Sequence, residues 1–127
     1  MIQLDWGDSR PLYEQIKDKF KTLIITGALK EQDKIPSVRE LAGSLAINPN
    51  TIQRAYKELE EEGYIVSLRA KGSFVAKRSD VSKEAQKALY RNLREAAAEL
   101  IYQGVELNEI QAEIEEIFNT IKRGEHI

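Results

Sequence analysis

The stretch Ile35-Pro36-Ser37-Val38-Arg39-Glu40-Leu41-Ala42-Gly43-Ser44-Leu45-Ala46-Ile47-Asn48-Pro49-Asn50-Thr51-Ile52-Gln53-Arg54-Ala55-Tyr56 decides the fold. It holds two helix starts in close succession. Ser37 and Glu40 have the spacing of a capping box, in which the serine hydroxyl accepts from the Glu40 amide and the Glu40 carboxylate reaches back. Val38, Leu41, Ala42 and Leu45 follow the i, i+3, i+4, i+7 pattern of one buried stripe. After the tight connection Ala46-Ile47-Asn48, Asn48 is a favourable N-cap. Pro49 suits the first turn, where its missing N–H costs nothing. Ile52, Ala55, Tyr56 and Leu59 repeat the buried spacing, and Gly63 ends the helix. Two short helices joined by about three residues have the form of a helix-turn-helix.

The flanks extend this unit. Upstream, Ile2–Leu4 reads as a short strand. A helix is expected to begin at Pro11 and to carry Leu12, Ile16, Phe20, Leu23 and Ile24, with Gly27 as its stop. Lys30-Glu31-Gln32-Asp33-Lys34 reads as a polar loop. Downstream, Tyr64–Leu68 and Ser73–Ala76 are rich in β-branched and aromatic residues and flank Arg69-Ala70-Lys71-Gly72, the pattern of a hairpin. Three helices followed by a two-stranded ribbon make a winged helix-turn-helix over residues 1–78. Residues 79–127 add two helices. Ser82 opens the first, with a stripe from Ala85 to Ile101, and Gly104 breaks it. The second carries Leu107, Ile110, Ile114, Ile117 and Ile121 at alternating spacings of three and four, a narrow seam suited to another helix. The expected fold class is therefore mainly α with a small β-hairpin: a DNA-binding domain and a two-helix dimerisation tail.

Composition narrows the chemistry. The chain has 127 residues, no Cys, and one His, His126. Thiol catalysis, disulfides and Cys- or His-based metal clusters are excluded, and with no Gly-rich phosphate loop an enzyme is not expected. No cofactor or metal is expected. There is no basic leader followed by an apolar stretch, and apolar runs fall far short of the ~20 residues that span a bilayer, so a cytoplasmic protein without membrane contact is expected. The net charge of −2 conceals a division. Residues 1–78 carry 13 basic against 11 acidic side chains, a balance of +2, and residues 79–127 carry 6 against 10, a balance of −4. Tyr64–Arg78 has four basic residues and no acidic one.

With Ile52 pointing inward, rotation of 100° per residue places Asn50, Gln53, Arg54, Lys57 and Glu61 on the opposite face of the third helix. Arg can donate two parallel bonds to guanine, and Asn or Gln can pair similarly with adenine. Thr51 and the first-turn amides suit a phosphate. Arg39 is placed to meet the DNA backbone or a base edge. Arg69, Lys71 and Gly72 at the hairpin tip suit a wing that touches the minor groove or its phosphates. Tyr13 and Tyr56 read as core packing, and Trp6 as a packing or interface residue.

In order along the chain, Pro11-Leu12-Tyr13-Glu14-Gln15-Ile16, Ile35 to Ala42, Asn48 to Tyr56, Leu59-Glu60-Glu61-Glu62-Gly63 and Lys71-Gly72-Ser73-Phe74-Val75 resemble the GntR family of bacterial transcription regulators. The short tail and the Asn-Pro-Asn-Thr start of the third helix resemble its YtrA-like subfamily. Two positions depart from the family pattern: Gln32-Asp33-Lys34 and Ala70 stand where many relatives carry Gly. The resemblance implies DNA contact by Arg39, Asn50, Thr51, Arg54 and the Lys71-Gly72 tip. The candidate DNA-binding set is thus Ser37, Arg39, Asn50, Thr51, Gln53, Arg54, Lys57, Arg69, Lys71 and Gly72. Leu89, Leu93, Ala96, Leu100, Leu107, Ile110, Ile114, Ile117, Phe118 and Ile121 are the candidate dimer interface. The expected function is a dimeric repressor on an inverted-repeat operator in double-stranded DNA; a small-molecule effector between the tail helices is a further candidate partner. The rival reading is a winged-helix module that binds protein and not DNA.

Overall fold

A stripe of four apolar residues on the third helix organises the first part of the molecule. The computed structural model describes residues 2–125; His126 lies outside the described residues. The chain divides into two compact units, Met1–Val81 and Ser82–Ile127.

In the first unit, α1 spans Leu12–Ile25, α2 Val38–Leu45 and α3 Pro49–Glu61. Ile52, Ala55, Tyr56 and Leu59 of α3 are buried and pack mainly against α1, then α2. Phe20 and Ile16 of α1 are wholly buried beneath them, with Phe20 edge-on to Tyr56 at 5.5 Å. The Tyr56 hydroxyl donates to the Pro36 carbonyl at 2.7 Å, so burial of this ring also anchors the entry to α2. That burial, with the Glu40 charge beside it, pushes the Tyr56 phenol far above its ordinary pKa of 10.0.

The caps follow the sequence closely. Asn48 Oδ1 accepts from the Asn50 amide at 2.9 Å, and Pro49 occupies the first helical position of α3. Ser37 Oγ accepts from the Glu40 amide at 3.1 Å. Among the described residues the return bond from Glu40 to Ser37 is not made, so only half of the expected capping box forms. Pro11 is the N-cap of α1 and Leu12 its first helical residue, one position later than the sequence suggests. Gly63, at φ +87°, reverses the chain after α3 while the Tyr64 amide bonds the Leu59 carbonyl at 2.9 Å.

The wing differs from a two-stranded ribbon. Strands β1 (Lys34–Ile35), β2 (Ile65–Leu68) and β3 (Gly72–Val75) form an antiparallel sheet in the order β1-β3-β2. Lys34, read as loop, pairs with Phe74, and Ile35 pairs with Ser73. Ile35, Ile65 and Val75 face the core. Ile2–Leu4 forms no strand. Ile2 is instead buried in the core as extended chain, and the buried Gln15 side chain fastens this segment by accepting from the Asp5 amide and donating to the Arg10 carbonyl. A strand needs a neighbour with free backbone groups, and here a side chain takes that role.

The second unit contains α4 (Lys83–Tyr102), capped by Ser82, and α5 (Leu107–Lys122), with a complete capping box between Glu106 and Glu109. The two helices share little contact, and no described residue of either is buried. Leu89, Leu93, Leu100, Leu107, Ile114, Ile117 and Phe118 are exposed, Ala96 is exposed, and Ile110 and Ile121 are half-buried.

Among the described residues, three that are not glycine take left-handed backbone: Gln32 (φ 70°), Ala46 (φ 55°) and Ala70 (φ 65°). Ala70 is one of the two departures from the resembled pattern, and Gln32 lies in the stretch Gln32-Asp33-Lys34 that is the other. A side chain there costs more than the extra chain entropy of glycine, so Gln32→Gly and Ala70→Gly should each stabilise the protein by about 0.5–1 kcal/mol. Thermal melting of each variant would measure this; a lowered midpoint in both would refute it.

Candidate nucleic-acid interface

The outward face of α3 is dictated by its inward one. Because four apolar residues are buried on one side, Asn50, Gln53, Arg54, Lys57 and Glu61 emerge exposed on the other. Ser37 and Arg39 are exposed at the start of α2, and Thr51 is half-buried. Arg69 and Lys71 are exposed on the turn between β2 and β3, with Ala70 between them. Gly72 lies within β3, not in the turn, at φ +112°. L-residues rarely adopt that conformation, and an added Cβ would stand 3.1 Å from Lys34 Cε. All ten candidate residues belong to the first unit, and nine of them are exposed.

The acidic run Glu58–Glu62 poses an electrostatic problem on a helix meant for DNA. The geometry resolves most of it. Glu58 Oε1 accepts from Lys17 Nζ at 3.1 Å, and Glu58 Oε2 accepts from Arg54 Nε at 3.4 Å. Glu62 pairs with Lys17 and, at 3.2 Å, with Lys21. Glu60 turns to the wing, where its carboxylate accepts from the Ser67 amide at 3.1 Å and from the Ser67 hydroxyl at 3.4 Å. Three of the four carboxylates are thus matched by α1 or by the wing; Glu61 remains on the outward face. Arg39, Lys57, Arg69 and Lys71 enter no ion pair among the described residues. The resulting surface presents cations and amides at the N-terminal half of α3 and at the wing tip.

Residues 13, 17 and 21 of α1 face residues 54, 58 and 62 of α3, both sets spaced by four. Tyr13 packs against the core as the helical spacing predicts, and it has a second role that the spacing does not show. It is half-buried, and the Arg54 guanidinium lies over its ring at 3.7 Å while Nη2 donates to its hydroxyl at 3.0 Å. The parallel +4 spacing of tyrosine and lysines on α1 was the available signal. Tyr56 is core as expected. Trp6 is 70% exposed and packs into no core in this chain.

Partial burial opposes charge on Glu62, but its bonds to Lys17 and Lys21 outweigh this and hold its carboxyl below the ordinary 4.5. Partial burial likewise opposes the charge of Lys17, and Glu62 and Glu58 outweigh it to raise the amine above 10.5.

No helix among the described residues is long and apolar enough to cross a membrane. Among the described residues no cluster of acidic or histidine side chains is arranged to hold a metal ion. The sequence pattern of the bacterial regulatory proteins of the gntR family matches residues 12–75. The HTH-type transcriptional repressor YtrA of Bacillus subtilis (strain 168) is 40% identical over 126 residues, covering 98% of this chain and 97% of that protein. The structure of YtrA from Sulfolobus acidocaldarius, a GntR-family transcription factor, superposes with a TM-score of 0.69 at 35% identity, over 95% of this chain and 99% of the other. The DNA-binding domain of AraR in complex with operator ORR3 matches 58% of this chain and 89% of its own, with a TM-score of 0.51 and 30% identity.

A group with a lowered folded pKa stabilises above its unfolded pKa and loses that contribution as pH falls through the folded value. The Glu62 ladder should therefore be fully present near neutrality and should fail as pH drops below about 4.5. Glu62→Gln should flatten the decline in melting temperature on the acid side. An unchanged acid limb would show that the ladder contributes nothing.

Proposed function

Since the chain belongs to the gntR family of bacterial regulatory proteins, we propose that its α3 reads an operator as half of a symmetric dimer. It is a sequence-specific DNA-binding transcription regulator, with a winged helix-turn-helix and a short helical tail, and not an enzyme. The observation that carries the finer reading is the outward face of α3: Asn50, Gln53, Arg54 and Lys57 stand exposed over a fully buried stripe. In the proposed complex this face enters the major groove. Arg54 reads guanine, Asn50 and Gln53 supply amides for base edges, and Thr51, Ser37 and Lys57 meet phosphates. Arg39 meets the backbone or a base edge, and the Arg69-to-Gly72 wing lies along the minor groove. The rival reading, a protein-binding module, calls for exposed apolar anchors on this face; its outward residues are all polar.

The tail completes the proposal. Exposed aliphatic and aromatic side chains on α4 and α5 exceed what a monomer ordinarily leaves in water. This supports pairing with a second copy through Leu89, Leu93, Ala96, Leu100, Leu107, Ile110, Ile114, Ile117, Phe118 and Ile121. The two recognition helices then lie about 34 Å apart, one turn of an inverted repeat. Repression in the cytoplasm fits this arrangement. A small apolar or cationic effector held between the tail helices would be the further partner of this arrangement.

Arg54→Ala should cost about 1–3 kcal/mol of operator affinity and relax selectivity at one base pair. Lys71→Ala should weaken binding to all sequences alike and reduce the salt dependence by about one unit of slope. Titrations at several salt concentrations separate the two. Replacing Ile114 and Ile117 together by Asp should give monomers by light scattering, with operator binding lost. A double variant that remains dimeric would remove the tail from the interface.

A further inference from the structure

Arg54 is held from a different helix. Its Nη2 donates to the Tyr13 hydroxyl, its guanidinium lies over the Tyr13 ring, and its Nε donates to Glu58. Both holding groups are themselves fixed. Tyr13 packs its ring against the core cluster, and Glu58 is tied through its second oxygen to Lys17. A guanidinium carries five N–H donors in a rigid fork. Tyr13 and Glu58 take two of them, leaving three. Two of those three suffice for the parallel bonds to O6 and N7 of guanine.

We propose that Tyr13 is a positioning residue for base recognition, holding the Arg54 guanidinium ordered before DNA arrives while leaving a bidentate pair of donors unspent. This rests on Arg54 being a base-reading residue. Two physical consequences follow. A long side chain ordered in advance loses less freedom on binding, so the clamp favours affinity for the correct base. Glu58 offsets the arginine's charge, which weakens its attraction to phosphates of any sequence. A directed hydrogen bond to a base is less affected, because it depends on geometry as well as charge. The clamp therefore converts an adaptable cation into a selective one.

The test uses the full chain and the tightest duplex that the wild type selects from a random-sequence pool. Dissociation constants are measured on that duplex and on versions with each base pair replaced. The proteins are wild type, Tyr13→Phe, Tyr13→Leu, Arg54→Ala, and both Tyr13 changes combined with Arg54→Ala. Tyr13→Phe removes the hydroxyl that accepts from Arg54 and donates to Glu14 at 3.3 Å, and it keeps the packed ring, so it should fold with a nearly unchanged melting curve. It should weaken binding by ~3–10-fold and lose discrimination at the base pair that Arg54→Ala also stops reading. Tyr13→Leu should lose at least as much. In the Arg54→Ala background either Tyr13 change should matter by less than about twofold, because the coupled partner is gone. Tyr13 variants that keep wild-type affinity and selectivity while Arg54→Ala loses them would overturn the positioning role. So would Tyr13 effects that persist in full without Arg54, which would make Tyr13 an independent contact. An Arg54→Ala protein that binds like wild type would instead overturn the base-reading role of Arg54, and this inference with it.

Discussion

Burial of Ile52, Ala55, Tyr56 and Leu59 is the constraint from which the rest of the first unit follows. Two of these residues are wholly aliphatic, one is as small as alanine, and one is a tyrosine whose hydroxyl finds a carbonyl. The alanine lets α3 approach its neighbours closely. The tyrosine reaches both Phe20 on α1 and Pro36 ahead of α2, so one ring fixes two elements. With the inward direction set, the helical period leaves no choice about which residues face outward. An Asn, a Gln, an Arg and a Lys are exposed because an Ile, an Ala, a Tyr and a Leu are not. Placement of the polar face thus needs no interaction of its own.

The acidic run shows how α3 can carry four carboxylates near its end and still present an outward face rich in amides and cations. Their positions within one and a half turns send them in different directions. Glu58 and Glu62, four apart, face α1 and meet lysines that are also four apart. Glu60 points to the wing and holds the amide of Ser67 on the exposed edge strand β2, which fixes the ribbon relative to the helix. Such partly exposed pairs each contribute little stability. Their larger effect is on the field: Lys17 and Lys21 of α1 offset Glu58 and Glu62, so less unbalanced negative charge lies beside the exposed cations of α3.

Much of this was legible in the sequence, and what was not has physical causes. Helix starts were legible at Ser37, Asn48 and Ser82 because a cap is a local interaction between residues two or three apart. Buried stripes were legible because period and burial are tied. Strand β1 was not, because Lys34 and Ile35 are only two residues and pair with a partner some forty positions away. The half-formed capping box at Ser37 also lay beyond reading, since a carboxylate's rotamer depends on its surroundings. The left-handed backbone at Ala70 could be suspected only from the family resemblance, and no local signal singles out Gln32 within Gln32-Asp33-Lys34. Helical spacing marks Tyr13 as a packing residue, which it is, but does not show that its hydroxyl and ring also hold Arg54. For the outward face of α3 the angle about the helix axis is legible in the sequence, whereas the restraint on Arg54 depends on the distance between two helices.

The tail raises the last physical question, how a region with no buried residue can be ordered. Most helical stability in proteins comes from packing an apolar face, and the mutual contact of these helices of 20 and 16 residues is slight. Their caps lower the cost of starting a helix but do not hide the leucines, isoleucines and Phe118. In the proposed dimer, burial of those side chains against a second copy supplies the missing stabilisation, so ordering of the tail and association become one equilibrium. That coupling bears on DNA binding. A unit with a surplus of only two positive charges has weak non-specific affinity. Joining two such units makes the second half-site contact intramolecular, at an effective concentration far above that of free protein. Affinity then depends on two matched half-sites at one spacing, and a lone half-site captures little. The acidic tail fits this division of labour: it adds no attraction for phosphate, so in the proposed complex binding energy would be concentrated on α3 and the wing.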